Sequence, residues 1–261
     1  MKRAPVQDRE PYLVPRLDGP IELDGRSNEP AWEAIEPLPL VMQIPTFRGT
    51  PTERTEIRIA YDDTHIYVAA RCYDDPDGVR GTSFKRGLFT SRPDNLALIL
   101  DTFDDNENAV AFFTFPTGAR TDFTVFNDAE GEFPFNVDWN TFWAVEVARN
   151  GQGWFVEMRI PFSSLRFQDE DGRVEMGVHL QRYIARKHEV VGFPALERKY
   201  GRWSWAKPSL ARTIVLEGIQ SPRPLYVAPY AIGGLGQYAE LNGSETAYET
   251  VGNGSPTRGL T

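Results

Sequence analysis

The stretch TEIRIAYDDTHIYVAARCYD, residues 55–74, decides the fold class. Ile57, Ile59 and Tyr61 alternate with Glu56 and Arg58; after the Asp-Asp-Thr turn, Ile66, Val68, Ala70 and Cys72 alternate with Tyr67 and Arg71. A period of two sends successive side chains to opposite faces of a strand, so each run carries one oily face. Two such runs across a short polar turn predict an antiparallel hairpin with its other face in water.

The pattern continues outward. NLALILDTF and NAVAFFTFP form a second hairpin around the tip DDNEN, and RTDFTVF, FWAVEVAR and GWFVEMRIPF follow, the last two joined at Asn150-Gly151. MGVHLQRYIAR and RTIVLEG read as closing strands. Helix is scarce, with one turn each expected in EPAWEAI and PFSSLRF. Short strands with turn signals between them predict an all-β antiparallel β-sandwich, jelly-roll or immunoglobulin-like, with one or two short helical turns.

The segment IELDGRSNEPAWEAIEP, residues 21–37, combines the turn pair Asp24-Gly25, the cap candidates Ser27 and Asn28, and Pro30 in a first helical turn. Trp32 and Ile35 then share one helical face, and the expected use of Trp32 is to plug an open end of the sandwich.

Composition narrows the partners. The 261 residues carry a formal net charge of −9, which disfavours nucleic acid and anionic membrane surfaces. The single cysteine, Cys72, forbids an internal disulfide and reads as a small core residue. His65, His179 and His188 lack metal-ligand spacing, and no Gly-x-Ser-x-Gly elbow is present, so a non-catalytic chain is expected. A haem pair of Met158 and His179 is disfavoured because Met158 reads as core. The opening residues have basic character but no apolar h-region, so no signal peptide is visible in this chain. At QSPRPLYVAPY the texture changes, with Pro222 and Pro224 stiffening a connector.

Four ordered motifs, IELDGRSNEPAW, TEIRIAYDDTHIYVAARCYDDP, LDTFDDNENAVAFFTFPTG and GWFVEMRIPFSSLRF, are similar to the N-terminal domain of a family of bacterial outer-membrane-associated proteins. That domain resembles carbohydrate-binding module family 9. The resemblance implies an N-terminal extension over residues 1–20, a β-sandwich over 21–218, and a linker with the start of a truncated outer-membrane β-barrel over 219–261. It implies a place in the bacterial envelope, a saccharide ligand, and a role in carbohydrate uptake or catabolism. The alternative is a periplasmic interaction or plug domain that contacts its own barrel or another envelope protein; a glycan-active enzyme is a third reading.

Family 9 modules clamp a sugar between two tryptophans, and Ser91 stands where the first would fall. Gln181, in GVHLQ, matches a strand that carries a sugar-bonding glutamine. The expected saccharide contacts are therefore Gln181, Arg182, Asp94, and the pair Trp203 and Trp205, which on a strand would share one side. Trp139 and Trp143 lie around a strand entry, with at least one in the core, and Trp154 is a packed strand residue. Structural calcium is associated with such modules, and its expected ligands are Asp74, Asp75 and Asp77 in one hairpin tip and Asp104 and Asn106 in another. The alternative for both tips is a solvated turn.

Overall fold

The structure, a computed structural model, describes residues 10–87, 93–221, 237–244 and 246–253. The chain divides into two compact units, Met1–Pro222 and Arg223–Thr261.

The first unit holds strands β1 (Tyr12–Leu13), β2 (Val41–Ile44), β3 (Thr55–Tyr61), β4 (His65–Tyr73), β5 (Asn95–Asp101), β6 (Ala109–Thr114), β7 (Arg120–Val125), β8 (Phe135–Asn136), β9 (Ala144–Asn150), β10 (Gly153–Pro161), β11 (Arg173–Ile184), β12 (Glu189–Phe193) and β13 (Arg212–Glu217), with one α-helical turn, α1 (Pro30–Glu33). The smaller sheet runs β3-β4-β10-β9, all antiparallel. The larger runs β1-β13-β11-β5-β6-β7-β8. β12 lies beside the C-terminal half of β11, and β2 pairs with β12. β1 pairs with β13 in parallel, and Val14 is buried, so residues 12–14 belong to the sandwich rather than to an extension.

The alternation read from residues 55–74 holds. Ile57, Ile59, Tyr61, Ile66, Val68, Ala70 and Cys72 all face the interior, against Leu96, Leu98 and Leu100 of β5, Phe112 of β6 and Met176, Val178 and Leu180 of β11. Burial pushes the Cys72 thiol up to about 11, as a core thiol requires. Met158, Trp143 and Trp154 are also core.

The expected wet face of that hairpin is not wet. Ala60, Tyr67 and Ala69 point outward from the smaller sheet, yet all are buried beneath Trp32 and Ile35 of the α1 segment. Trp32 thus covers a sheet face instead of plugging an end. Its indole Nε1–H donates to Glu157 Oε1 at 2.8 Å, while the Asp24 and Gly25 amides donate to Glu157 Oε2 at 3.0 and 2.9 Å. Glu157 is fully buried on β10; burial raises its carboxyl, and the two amides and the indole pull it back down. Gly25 is required there, at φ 78°, since a Cβ would lie 2.7 Å from the Ala148 amide nitrogen. The helix cap expected from Ser27 or Asn28 is absent: Glu29 is the N-cap, with no side-chain bond, and Pro30 opens the turn.

In the second unit, β14 (Gln237–Leu241) and β15 (Tyr248–Asn253) form an antiparallel hairpin. The expected connector at Pro222 and Pro224, and most of the resembling first barrel strand, lie outside the described residues.

Candidate functional site

The outer face of the larger sheet carries Gln181, one of the polar residues singled out from the sequence. Strand register aligns Gly192 of β12, Gln181 of β11, Ala97 of β5 and Phe113 of β6 in one row across the sheet. Gln43, at the β2 irregularity, reaches the same place: a Cβ on Gly192 would be 2.8 Å from Gln43 Nε2 and 3.1 Å from Gln181 Cβ. Glycine at 192 therefore lets the two glutamines approach each other.

Both amides are more than nine-tenths buried, Gln43 being 5 % and Gln181 8 % exposed. Gln43 Nε2 donates to the Pro194 carbonyl at 3.1 Å, but Gln43 Oε1 has no hydrogen-bond partner. The Gln181 carboxamide makes no hydrogen bond among the described residues. Buried polar groups in native folds are nearly always paired, so the Gln43 oxygen, like the buried Glu29, Trp143, Trp154, Arg182 and Ser204 atoms that also lack partners, retains bonding capacity, and here it lies beside a second amide.

Beyond Phe113, two strands and about 10 Å from Gln181, lie the tryptophans. Trp203 precedes a 3-10 turn, Ser204–Ala206, and Trp205 lies within it, so they are not strand neighbours. Their rings meet edge to face at 6.2 Å. Trp205 stacks on Phe135 at 5.7 Å and meets Phe113 edge-on at 5.7 Å, and Trp203 meets Phe135 at 4.9 Å. Both indoles are half-buried, so each covers the sheet and keeps part of its surface outside. The Arg202 guanidinium sits 4.5 Å over the Trp203 ring.

A polar clamp fixes this aromatic segment. Lys207 Nζ donates to the Asp128 carbonyl at 2.9 Å and Asp128 Oδ2 at 3.2 Å, and pairs with Glu130. Ser209 Oγ donates to Asp128 Oδ2 at 2.7 Å, and His179 Nε2 bonds the Lys207 carbonyl at 2.8 Å. These contacts hold Asn127, Asp128 and Ala129 in three successive left-handed conformations, φ 55°, 46° and 52°. Burial drives the His179 pKa down to about 4, so the imidazole is neutral near pH 7.

Two expected saccharide contacts are corrected. Arg182 is fully buried on the opposite, inner side of β11. Its Nη2 donates to Asp74 Oδ2 at 2.7 Å, and Nη1 donates to Thr55 Oγ1 and the Tyr73 carbonyl, each at 2.9 Å, tying the two sheets together. Asp94, 1 % exposed, accepts from the Arg80 amide at 2.5 Å and the Ala185 amide at 2.7 Å, bracing two loops. Neither presents a polar group to a ligand. Ser91, the clamp position, lies outside the described residues.

The calcium expectation finds no matching geometry in the residues named for it. Asp74 gives both carboxylate oxygens to guanidinium groups, Oδ2 to Arg182 and Oδ1 to Arg186, and Arg186 also pairs with Glu53. Asp75 and Asp77 are exposed, and the Asp77 backbone N–H donates a hydrogen bond to Asp75 Oδ1 at 3.1 Å. In the other tip, buried Asp101 accepts the Asp105 and Asn106 amides at 3.1 and 2.8 Å, and burial lifts its carboxyl to about 6. Asp104 and Asn106 adopt left-handed turn conformations there. Among the described residues, no three His, Cys, Asp or Glu side chains are placed to hold a metal.

No family model matches the chain, and no curated protein does. Several solved structures are similar to it. Two are structures of a carbohydrate binding module family 9 from Caldicellulosiruptor kristjanssonii, one in complex with cellotriose and one with glucose. Each aligns over 84% of this chain and the whole of its own, with TM-scores of 0.49 and 0.48 at 20% and 18% identity. The third, from Bacteroides uniformis and provisionally described as a carbohydrate-binding protein, reaches a TM-score of 0.59 at 12% identity over 80% of this chain and 99% of its own. That likeness is one of fold, and it places this chain among the two-layer β-sandwiches expected from its sequence.

Proposed function

We propose that the first unit is a saccharide-binding domain whose polar contacts come from Gln181 and Gln43, with Trp205 and Trp203 as the neighbouring aromatic surface. The carrying observation is the pair of buried carboxamides, one oxygen of which has no partner. A carboxamide donates and accepts at once, which matches a sugar hydroxyl, and an indole face matches the C–H side of a pyranose ring. The Caldicellulosiruptor modules were solved with cellotriose and glucose, which makes these two sugars the first probes.

A binding role is favoured over a catalytic one by how the buried carboxylates are used. Asp74, Asp94, Asp101 and Glu157 all accept hydrogen bonds from the chain's own amides, indole or guanidinium groups. Glu189 accepts from Thr52 in the same manner. For the second unit, the antiparallel β14–β15 hairpin supports the reading of an envelope protein that continues into a barrel; fractionation of cells expressing the protein in its native context tests it.

Calorimetric titration with glucose and cellotriose tests the saccharide reading. Saturable heat that Gln181→Met reduces about tenfold in affinity, roughly 1.4 kcal/mol, is expected. Folded protein that stays silent at millimolar sugar, or binds equally well as Gln181→Met, overturns it.

A further inference from the structure

A cleft opens on the other side of the larger sheet. It encloses about 420 Å³ and is lined by Arg86, Asp122, Val137, Asp138, Trp139 and Asn140. Its volume falls within the range of small-molecule sites, roughly 300–1,000 Å³. Asp122 of β7 pairs in register with Phe112, a core residue, so this side chain belongs to the inner face of the sheet. Gln181 belongs to the outer face, three strands and about 14 Å away. The cleft is therefore separate from the glutamine pair, and a ligand there would touch neither amide.

The cleft is held open by bonds that do not involve a ligand. Thr141 N–H donates to Asp122 Oδ2 at 2.6 Å, and Arg86 Nη2 donates to the Thr141 carbonyl at 3.1 Å and to Asp122 Oδ1 at 3.2 Å. Just beyond, Ser164 Oγ donates to the Phe142 carbonyl and Arg120 Nη1 to the Trp143 carbonyl, both at 2.6 Å. Trp139, half-buried, leans edge-on against Phe112 at 6.4 Å and lines the cleft. The loop is thus pinned at residues 141, 142 and 143, directly after the lining residues 137–140, and Trp139 is seated on Phe112, so the indole wall of the cleft is preformed.

The lining chemistry selects the ligand. One indole and one valine supply apolar surface; a guanidinium, two carboxylates and a carboxamide supply polar atoms. Arg86 is paired with Asp122, and the negative charge of Asp138 at the rim is offset by the nearby Arg120 guanidinium, so the surroundings of the cleft carry no net charge and favour a neutral ligand. Asp138 and Asn140 are exposed and carry acceptors and donors suited to neutral hydroxyls. We infer that this cleft is a second, independent saccharide site, taking a neutral sugar ring stacked on Trp139 with its hydroxyls shared among Arg86, Asp138 and Asn140.

The test uses the full chain carrying Gln181→Met, so that the glutamine pair does not contribute. The Trp139 indole N–H signal is followed by two-dimensional NMR, assigned through Trp139→Phe, during titration with glucose, cellotriose and glucuronate. A saturable shift with the neutral sugars is expected, weakened roughly tenfold by combined Asp138→Ala and Asn140→Ala, two exposed positions whose loss leaves the fold intact. Glucuronate should shift the signal less than glucose at equal concentration. No shift with any of the three sugars overturns the site, and a stronger response to glucuronate overturns its neutral class. Retained heat of binding in the unmodified protein, with a silent Trp139, would remove this cleft while leaving the glutamine site standing.

Discussion

The two outer faces of the sandwich are both covered by tryptophans from short helical turns, yet the polar side chain buried beneath each cover is paired to a different degree, although Glu29 Oε2 at the start of α1 also lacks a partner. On the smaller sheet, Glu157 is fully buried, and both its oxygens accept hydrogen bonds, from the Trp32 indole and from the Asp24 and Gly25 amides. On the larger sheet, Gln43 Oε1 is buried with no partner, and Gln181 beside it makes no bond among the described residues. A satisfied buried group stabilises the fold; an unsatisfied one costs about 1–3 kcal/mol and persists where something else will pair with it. The difference teaches that the candidate site is marked by two neighbouring amides with spare bonding capacity on one sheet face, since single unpaired atoms such as Glu29 Oε2 and Trp154 Nε1 also occur in the cover and the core.

The largest expected effect breaks the bridge on which both faces depend. Asp74→Ala leaves the Arg182 guanidinium, 0 % exposed, without its carboxylate, and should cost about 3–5 kcal/mol in urea unfolding. Arg182→Met, which removes the charge as well, should cost less. If the single Asp74 change is nearly neutral, the two layers are not held by this pair.

The second effect is a pH dependence on the larger face. His179 has a folded pKa near 4, below the ordinary 6.5, because burial favours its neutral form. Its contribution is complete above pH 6.5 and is lost as pH falls toward 4, by up to about 3 kcal/mol. His179→Gln should flatten the fall in unfolding midpoint over that window. An unchanged profile would show that the imidazole is not held neutral beneath Lys207.

A smaller loss is expected on the closed face. Trp32→Phe keeps most of the ring but removes the donor to Glu157, and should cost about 2 kcal/mol. The smallest effect has the opposite sign: Gln181→Met should raise stability by about 1 kcal/mol while weakening saccharide binding. A destabilised Gln181→Met would mean that the amide is paired like Glu157, and the contrast between the faces would fail.

Much of the framework was legible because alternation is local. The inward residues of β3 and β4 follow from a period of two, and so does the hairpin around Asp104 and Asn106. The same rule separates Gln181 from Arg182, since neighbours on a strand face opposite ways, and it rules out both as contacts of one ligand. Trp203 and Trp205 read as strand neighbours from their spacing, but Pro208 and the 3-10 turns around it give them a different geometry. Gln43 stands in VMQIP with no motif to mark it, and the Trp139 cleft arises from a loop whose neighbours come from β7 and Arg86.

By itself the sequence determined that oily and polar side chains alternate over enough short strands to close two antiparallel layers, because that pattern is written between adjacent residues. Only the tertiary structure decided which polar groups would be paired. Arg182 and Asp74 are 108 residues apart, and Trp32 and Glu157 are 125 apart. Hydrogen bonding at such separations depends on where distant strands come to rest, and no local period encodes it. The same placement left the Gln43 oxygen without a partner on the opposite face.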